Sequence, residues 1–132
     1  MPSCMVDTDV VSFLFKGARE AQLYSHHLAG KTLVVSFQTV AELDRWALRH
    51  NWGDARIALM EAHLKHFIVY PFDRALCRVW AEICDSEQRK GRIIGVADAW
   101  IAATAVFNNI PLISHNRKHY ETVDRLVLIS EG

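Results

Sequence analysis

Short apolar runs recur along the chain and predict the strands of a buried β-sheet. Each run is rich in β-branched or aliphatic residues and is ended by a polar residue or a proline. A run that is apolar throughout, without the alternation of a half-exposed strand, is typical of parallel strands covered on both faces. The predicted strands are residues 3–7, 32–35, 67–70, 111–113 and 126–129.

Between these runs, apolar residues recur three or four positions apart, which predicts amphipathic helices. Ser36 and Asp73 stand at the start of two of them, where a side-chain oxygen can cap the first turn. Two polar stretches, residues 86–92 and 114–120, are predicted to be loops. The predicted helices are residues 10–15, 19–28, 37–50, 54–66, 74–85 and 96–107, of which the last is apolar on every side.

The alternation of predicted strands and helices indicates an α/β fold. We expect a central parallel sheet of about five strands with helices on both of its faces. No linker or repeat interrupts the pattern, so one domain over residues 1–132 is predicted. A hydrophobic fraction of 51% and a charged fraction of 23% fit a globular domain of this length.

Charge and cysteine content narrow the class of protein. Lys+Arg 15 balances Asp+Glu 15, so the net charge gives no argument for a nucleic-acid partner, which would need a local basic surface. Cys77 and Cys84 lie two turns apart on one predicted helix, too far for a disulfide, and the few cysteines indicate a reducing compartment. No apolar stretch is long enough to span a membrane and no export signal is visible, so a cytoplasmic protein without membrane contact is expected.

Three carboxylates lie in apolar segments. Asp7 ends the first predicted strand, Glu42 lies in the helix after the second, and Asp98 opens the most apolar helix. Ionised carboxylates are costly to bury unless they are paired or bind a metal. In an open parallel sheet, ligands bind beyond the carboxyl ends of the strands, where these residues are expected to meet. The sequence therefore predicts a Mg²⁺ or Mn²⁺ site suited to hydrolysis of a phosphodiester.

Each carboxylate also has an ordinary structural explanation. Asp7 can belong to a turn or cap the helix after it, and Asp9 can instead be the true cap or a supporting residue. Glu42 can pair with Arg45 or Arg49 on one helix face. For the aspartate that opens the apolar helix, the competing explanation is a favourable interaction with the helix dipole.

Four segments, in this order and spacing, resemble the motifs of PIN-domain ribonucleases, and most closely the VapC-type toxins of bacterial toxin–antitoxin pairs. They are MVDTD, SFQTVAEL, RIIGVADAWIAATA and LISHNRKHYE, of which GVADAWIAATA is the specific part. The resemblance spans essentially the whole chain. It implies a metal-dependent endoribonuclease that acts on RNA, forms a homodimer and is inhibited by a cognate antitoxin whose tail reaches the active site.

By position, Asp7, Glu42 and Asp98 match the acidic cluster of that family. The resemblance implies that Asp7 and Asp98 hold the metal ion, while Glu42 orients a water molecule or takes part in a second metal position. Asn116 stands at the fourth place, and His119 falls where many members carry another acidic residue. Because the site then has three formal negative charges instead of four, we expect one tightly held ion and a second, transient one.

Basic residues flank two of these motifs and are predicted to hold RNA phosphates without reading sequence. Ordinary solvated loops are the alternative explanation for the same residues. The predicted substrate contacts are Arg89, Lys90, Arg92, Arg117, Lys118 and His119.

Two rival functions stay open at this point. An apolar strand followed by Asp-Thr-Asp also begins the haloacid-dehalogenase-like phosphatases, in which Asp7 would be the nucleophile, although the later paired aspartates of that class are missing here. The second rival is a PIN-like domain that binds RNA or a protein partner without cutting RNA. This second alternative is favoured by Asn116, at a position where the family carries Asp or Asn, and by His119, where many members carry an acidic residue.

Overall fold

A five-stranded parallel sheet forms the centre of the protein, in a computed structural model that describes residues 2–132. Its strands are β1 (Ser3–Val6), β2 (Thr32–Ser36), β3 (Ile68–Tyr70), β4 (Leu112–Ile113) and β5 (Leu128–Ile129). Their order across the sheet is β3-β2-β1-β4-β5, and every neighbouring pair is parallel. The predicted α/β fold is confirmed. The predicted domain also includes Met1, which lies outside the described residues.

Helices cover both faces of this sheet. Within residues 2–132 they are α1 (Thr8–Lys16), α2 (Ala21–Leu28), α3 (Phe37–Arg49), α4 (Asp54–Leu64), α5 (Arg74–Arg89), α6 (Val96–Phe107) and α7 (Arg117–Tyr120). Successive side chains of a strand point to opposite faces. On β1, Cys4 and Val6 join the core under α1 to α4, whereas Met5 joins the core under α5 and α6. The central strands carry buried apolar residues because both faces are covered there, whereas Ile68 and Val69 of the edge strand β3 are exposed.

Side-chain caps fix the start of two helices. The Oγ atom of Ser36 accepts a hydrogen bond from the backbone N–H of Gln38 at 3.0 Å, at the start of α3. The Oδ1 atom of Asp73 accepts one from the backbone N–H of Leu76 at 2.8 Å, at the start of α5. Both predicted caps are confirmed, because capping depends on residues that are neighbours in the sequence.

Two predicted loops are partly helical. α5 continues to Arg89, beyond its predicted end at residue 85, because Glu87 is 2% exposed and packs into the structure. The segment after β4 contains the short helix α7, whose Tyr120 is 1% exposed. Both predictions were wrong for one reason, since contacts with residues distant in the sequence override the polar composition of these segments.

The three cysteines are free thiols. Cys4 is buried in the core, while Cys77 and Cys84 are half-buried on α5. Among the residues that the structure describes, no helix has both the length and the apolar character needed to cross a lipid bilayer.

The site of interest lies where the order of the strands reverses, between β1 and β4. A crevice opens at the carboxyl ends of the strands at such a point. Val6 pairs with Ile113, and the backbone N–H of Asp7 donates to the carbonyl oxygen of Ile113 at 2.9 Å. Asp7 and Ser114, the residues after these two strands, therefore stand side by side at the crevice.

Candidate active site

Asp7 is fixed by hydrogen bonds from two directions. It occupies the cap position of α1, and its Oδ1 atom accepts a hydrogen bond from the backbone N–H of Thr8 at 2.8 Å. Its Oδ2 atom accepts one from the hydroxyl of Ser114, beyond β4, at 2.7 Å. The side chain is buried, with 4% of the residue exposed. Asp7 is thus both a helix cap and a rigidly oriented carboxylate in the crevice.

Asp98 lies in the first turn of α6, where the helix dipole favours a negative charge. Its Oδ1 atom accepts a hydrogen bond from the hydroxyl of Tyr120 at 3.1 Å, and its Oδ2 atom lies 3.1 Å from Nδ1 of His119. The side chain keeps 27% of its surface exposed. Asp98 is therefore oriented from α7 while remaining open to the solvent in the crevice.

Glu42 is oriented by α1 rather than by a basic residue on its own helix. The hydroxyl of Thr8 lies 2.9 Å from its Oε1 atom and donates to it. Among residues 2–132, the structure shows no ion pair of Glu42 with Arg45 or Arg49, so the alternative of a helix-face pair is not supported. Thr8 therefore contacts two carboxylates, since its backbone N–H donates to Asp7 and its hydroxyl donates to Glu42.

Asp9 is not the cap of α1, since α1 begins at Thr8 and Asp7 caps it. The Oδ1 atom of Asp9 accepts from the backbone N–H of Val10 at 2.7 Å, and its Oδ2 atom accepts from that of His115 at 3.0 Å. It therefore ties α1 to the segment after β4, as a supporting residue would. The sequence signal was its position two residues after a strand-ending aspartate.

One cavity, with a volume of about 470 Å³, brings these side chains together. Every residue that the sequence analysis placed at the predicted catalytic site lines this cavity, together with Asp9 and the aromatic side chains of Phe13 and Trp46. The lining residues are Asp7, Thr8, Asp9, Ser12, Phe13, Lys16, Glu42, Leu43, Trp46, Asp98, Asn116 and His119. Residues that are up to 112 positions apart in the sequence therefore share one crevice.

Burial and mutual repulsion raise the pKa values of Asp7, Asp9 and Glu42 in this cavity. Burial, followed by the charge of Asp9, raises the pKa of Asp7 to about 7, although the hydrogen bonds from Ser114 and Thr8 oppose this rise. Burial also raises the pKa of Asp9 to about 6, with a contribution from Asp98. For Glu42, burial is again the largest cause of a raised pKa. A cation in the cavity would relieve this repulsion.

The side chains fit a hard divalent cation. The donors are carboxylate oxygens, with the amide of Asn116 beside them, and such ligands suit Mg²⁺ or Mn²⁺ better than zinc or copper. In residues 2–132, the trio of potential ligands whose atoms lie within 4.8 Å of each other is His26, His27 and Glu131, outside this cavity. Mg²⁺ keeps several of its water ligands, so it does not need three carboxylates in direct contact with it.

Three of the predicted phosphate contacts are held away from the cavity. Arg89 pairs with Asp85, one turn earlier on α5, at 3.0 Å. The ammonium of Lys90 lies 2.9 Å from a carboxylate oxygen of Asp124. The guanidinium of Arg117 donates to backbone carbonyl oxygens near the C-terminus. None of these three basic residues lines the crevice.

Arg92 and Lys118 lie closer to it. Together with Asp98 and His119 they line a neighbouring cavity of about 300 Å³. The guanidinium of Arg92 donates to the carbonyl oxygen of Lys118 at 3.2 Å and lies 3.5 Å from the buried carboxylate of Glu87. Arg92 and Lys118 therefore form a basic margin beside the carboxylates, with fewer basic residues than the sequence analysis predicted.

The chain matches known proteins over nearly its full length. The sequence model of the PIN domain matches residues 4–125. The ribonuclease VapC1 of Haemophilus influenzae strain R2866 is 30% identical over 125 residues, which are 92% of each chain. The structure of VapBC-1 from nontypeable Haemophilus influenzae has a TM-score of 0.82 at 29% identity and covers 96% of both chains. DNA-bound VapBC from Salmonella typhimurium, at 22% identity, shares the fold with a TM-score of 0.87 over 98% of both chains.

These matches agree with the α/β fold described above. They leave no basis for the haloacid-dehalogenase-like alternative, in which Asp7 would be a nucleophile. The chain belongs to the PIN-domain family and, within it, to the VapC ribonucleases.

Proposed function

We propose that this protein is a Mg²⁺- or Mn²⁺-dependent endoribonuclease and the toxin of a toxin–antitoxin pair. The observation that carries the proposal is the meeting of Asp7, Glu42 and Asp98 around one cavity in a chain whose relatives are ribonucleases. The reaction is hydrolysis of a phosphodiester bond in RNA by water.

Asp7 and Asp98 are the residues that would hold the ion, with Glu42 beside them. A bound divalent cation would lower the pKa of the attacking water and neutralise charge that develops on the phosphate. Asn116 would contribute its carbonyl oxygen, directly or through a water molecule.

The residues around the carboxylates keep them in place before the substrate arrives. Ser114 and the backbone of Thr8 fix both oxygens of Asp7. The hydroxyl of Thr8 orients Glu42, and the hydroxyl of Tyr120 orients Asp98. Such preorganisation favours hydrolysis, because the reacting groups need little rearrangement to reach an in-line geometry. In this arrangement Glu42 orients the attacking water.

The number of carboxylates bears on how many ions bind. The expectation of one tight ion rested on Asp7, Glu42 and Asp98 alone, whereas Asp9 also lines the cavity. Both oxygens of Asp9 already accept backbone hydrogen bonds, from Val10 and from His115. We therefore retain one tightly held ion and a second, weaker one as the proposed state.

Partner proteins follow from the relatives rather than from any surface on this chain. VapBC-5 from Mycobacterium tuberculosis is described as a member of the VapBC family of toxin–antitoxin systems, and VapBC-1 and the Salmonella typhimurium VapBC carry the same VapBC name. We propose that this chain likewise binds a cognate antitoxin. We also propose that it forms a homodimer, as its resemblance to the VapC-type toxins implies. Co-purification with the product of a neighbouring small open reading frame, and light scattering on the isolated chain, would test the two proposals.

Cleavage of RNA by the purified protein tests the proposed activity. We expect cleavage in Mg²⁺ or Mn²⁺ and none in EDTA, with activity restored when the cation is added back. Asp98→Asn should remove activity, while Asp44→Asn, on the exposed side of α3, should not. A folded protein that binds RNA but never cuts it would support the alternative of a non-catalytic binding domain instead.

A further inference from the structure

The crevice has a second wall that the proposed hydrolysis does not use. Opposite in character to the carboxylates, it consists of the aromatic rings of Phe13 and Trp46 and the aliphatic side chain of Leu43, and we call these three residues the aromatic wall. Lys16 lines the cavity beside them, with its Nζ atom 4.1 Å from the centre of the Trp46 ring. An acidic half and an aromatic half thus share one cavity of about 470 Å³.

The Trp46 ring is held in a fixed orientation. Its Nε1–H donates to Nε2 of His50, one turn later on α3, at 3.3 Å. Its ring centre lies 5.5 Å from that of Trp52, which in turn stacks on Phe15 at 5.7 Å. The indole is half-buried and supported from outside the cavity. A ligand that stacks on it would therefore meet a prepared surface.

Lys16 gives the cavity a positive charge where its other charged side chains are acidic. Among the described residues that line it, Lys16 is the single lysine or arginine beside four carboxylates. Its ammonium rests on an aromatic face, an interaction that is weak at exposed sites. Because lysine has a long and flexible side chain, the ammonium can leave the ring at little cost and follow an anion.

From these contacts we infer that the aromatic wall binds a nucleobase of single-stranded RNA. The base stacks on Trp46 in the place of the Lys16 ammonium, which moves to an adjacent phosphate. Aromatic faces accept any base, and unpaired RNA presents its bases for stacking. The inference rests on the proposed function, since it takes RNA as the substrate. In it, stacking on Trp46 positions the RNA strand over the carboxylates.

A protein side chain is the competing occupant of the same wall. An apolar residue of a partner would bury the indole equally well but would make no use of the Lys16 charge. A nucleotide uses both, since it joins a flat aromatic base to a phosphate. The charge beside the wall is therefore the observation that favours RNA.

Binding measurements on variants test the inference directly. The substitutions are Trp46→Leu, which keeps an apolar side chain, Trp46→Phe, which keeps an aromatic face, and Lys16→Gln. Lys65→Gln, an exposed lysine outside the cavity, is the matched control. Each is made in an Asp98→Asn background so that the probe, a short single-stranded RNA of mixed sequence, survives. An oligonucleotide with the same ribose-phosphate backbone but no bases is measured in parallel.

We expect Trp46→Leu to raise the Kd for RNA about tenfold, and Trp46→Phe to raise it much less. The abasic oligonucleotide should bind weakly and should not distinguish Trp46 from leucine. A plot of the logarithm of the RNA association constant against the logarithm of the salt concentration has a slope of about −0.7 per phosphate contact for a single strand. Lys16→Gln should make this slope shallower by about that amount, the contribution of one contact. Lys65→Gln should leave both quantities unchanged.

Several outcomes would overturn the inference. Equal RNA affinity of Trp46→Leu and the parent, with circular dichroism showing both folded, would remove the stacking role. The inference would also be overturned if Trp46→Leu lost binding to a protein partner while its affinity for RNA stayed the same, because the wall would then be a protein-binding surface. Failure of the nuclease proposal is a separate result, because it would appear as absent cleavage by the wild-type chain while Trp46-dependent RNA binding persisted.

Discussion

The hydroxyl of Tyr120 donates a hydrogen bond to the Oδ1 atom of Asp98 at 3.1 Å, from a residue that is 1% exposed. Burial, together with the charges of Asp7 and Asp98, raises the pKa of Tyr120, so this phenol stays protonated and acts only as a donor toward the carboxylate. A packed aromatic ring thus fixes one carboxylate of the proposed metal site. Tyr120 was predicted to lie in a loop, and its role depends on α7.

Tyr120→Phe removes this donor and keeps the ring. We expect the free energy of unfolding to fall by about 1 kcal/mol, because Asp98 is partly exposed and water can replace the lost hydrogen bond. The kcat for RNA cleavage should fall by about tenfold, since the carboxylate is less well oriented. Urea denaturation and single-turnover cleavage measure the two effects. An unchanged kcat would show that Tyr120 only fills space.

Ser114→Ala tests the corresponding support of Asp7. The substitution removes the hydroxyl that holds Oδ2, in a site where water has little access, so stability should fall by about 1–3 kcal/mol. The pKa of Asp7 should rise further, because the bond from Ser114 stabilises the ionised form. The rising limb of the pH–rate profile should then move to higher pH. Ser25→Ala, at an exposed serine of α2, is the control and should leave the profile in place.

The pH dependence of stability follows from the raised pKa values of Asp7, to about 7, and Asp9, to about 6. In the unfolded chain both carboxyls titrate near 3.9, so the folded state binds their protons more tightly. The stability that the folded state gains from binding these protons is fully present below about pH 4 and is lost as the pH rises toward 7. Urea denaturation in EDTA should therefore show stability falling over this range by a few kcal/mol. Asp7→Asn should flatten the dependence, and a rise in stability over the same range in the parent protein would contradict the electrostatic argument.

Divalent cations should reverse this loss. At pH 7.5 or above, where the carboxylates are ionised, Mg²⁺ or Mn²⁺ at a hundredfold excess over its Kd should stabilise the fold by about 2.7 kcal/mol. Near pH 5 the effect should be smaller, because protons compete for the same oxygens. Calorimetric titration should give one tight site and one weaker site, and EDTA should return the protein to its unliganded stability.

Two equally tight sites would show that Asp9, despite its backbone hydrogen bonds, supplies a full ligand. Asp98→Asn should abolish the tight site, whereas Asp44→Asn should change neither the affinity nor the number of ions bound. These two variants separate a specific site from general screening of negative charge.

Features that depend on neighbouring residues could be predicted from the sequence. The caps at Ser36 and Asp73 lie within three residues of their partners, and α6 begins and ends where its apolar run predicted. The crevice followed from strand polarity, since parallel strands place their carboxyl ends together. The pairing of Arg89 with Asp85, one helical turn apart, is also a contact between residues that are close in the sequence.

The particular contacts that hold the site residues could not be predicted, because they join residues that are distant in the sequence. A supporting role for Asp9 was one of two expectations, but its partner, the backbone N–H of His115, is 106 positions away. Nothing in the sequence indicated that Trp46 lies beside the carboxylates. Its contact with Lys16 depends on the packing of α3 against α1. Both residues lie on helices that the sequence predicted, but tertiary contacts decide what their side chains face.

Glu87 offers a last test of how the basic margin is held. Its buried carboxylate accepts a hydrogen bond from the hydroxyl of Thr122 at 2.8 Å and lies 3.4 Å from Lys90 and 3.5 Å from Arg92. Glu87→Gln keeps the shape but removes the charge, so stability should fall by about 1–3 kcal/mol. RNA affinity should fall as well, because Arg92 loses the partner that holds it beside the neighbouring cavity. Glu82→Gln, at an exposed glutamate of the same helix, should change neither, and equal behaviour of the two variants would show that Glu87 does not organise this margin.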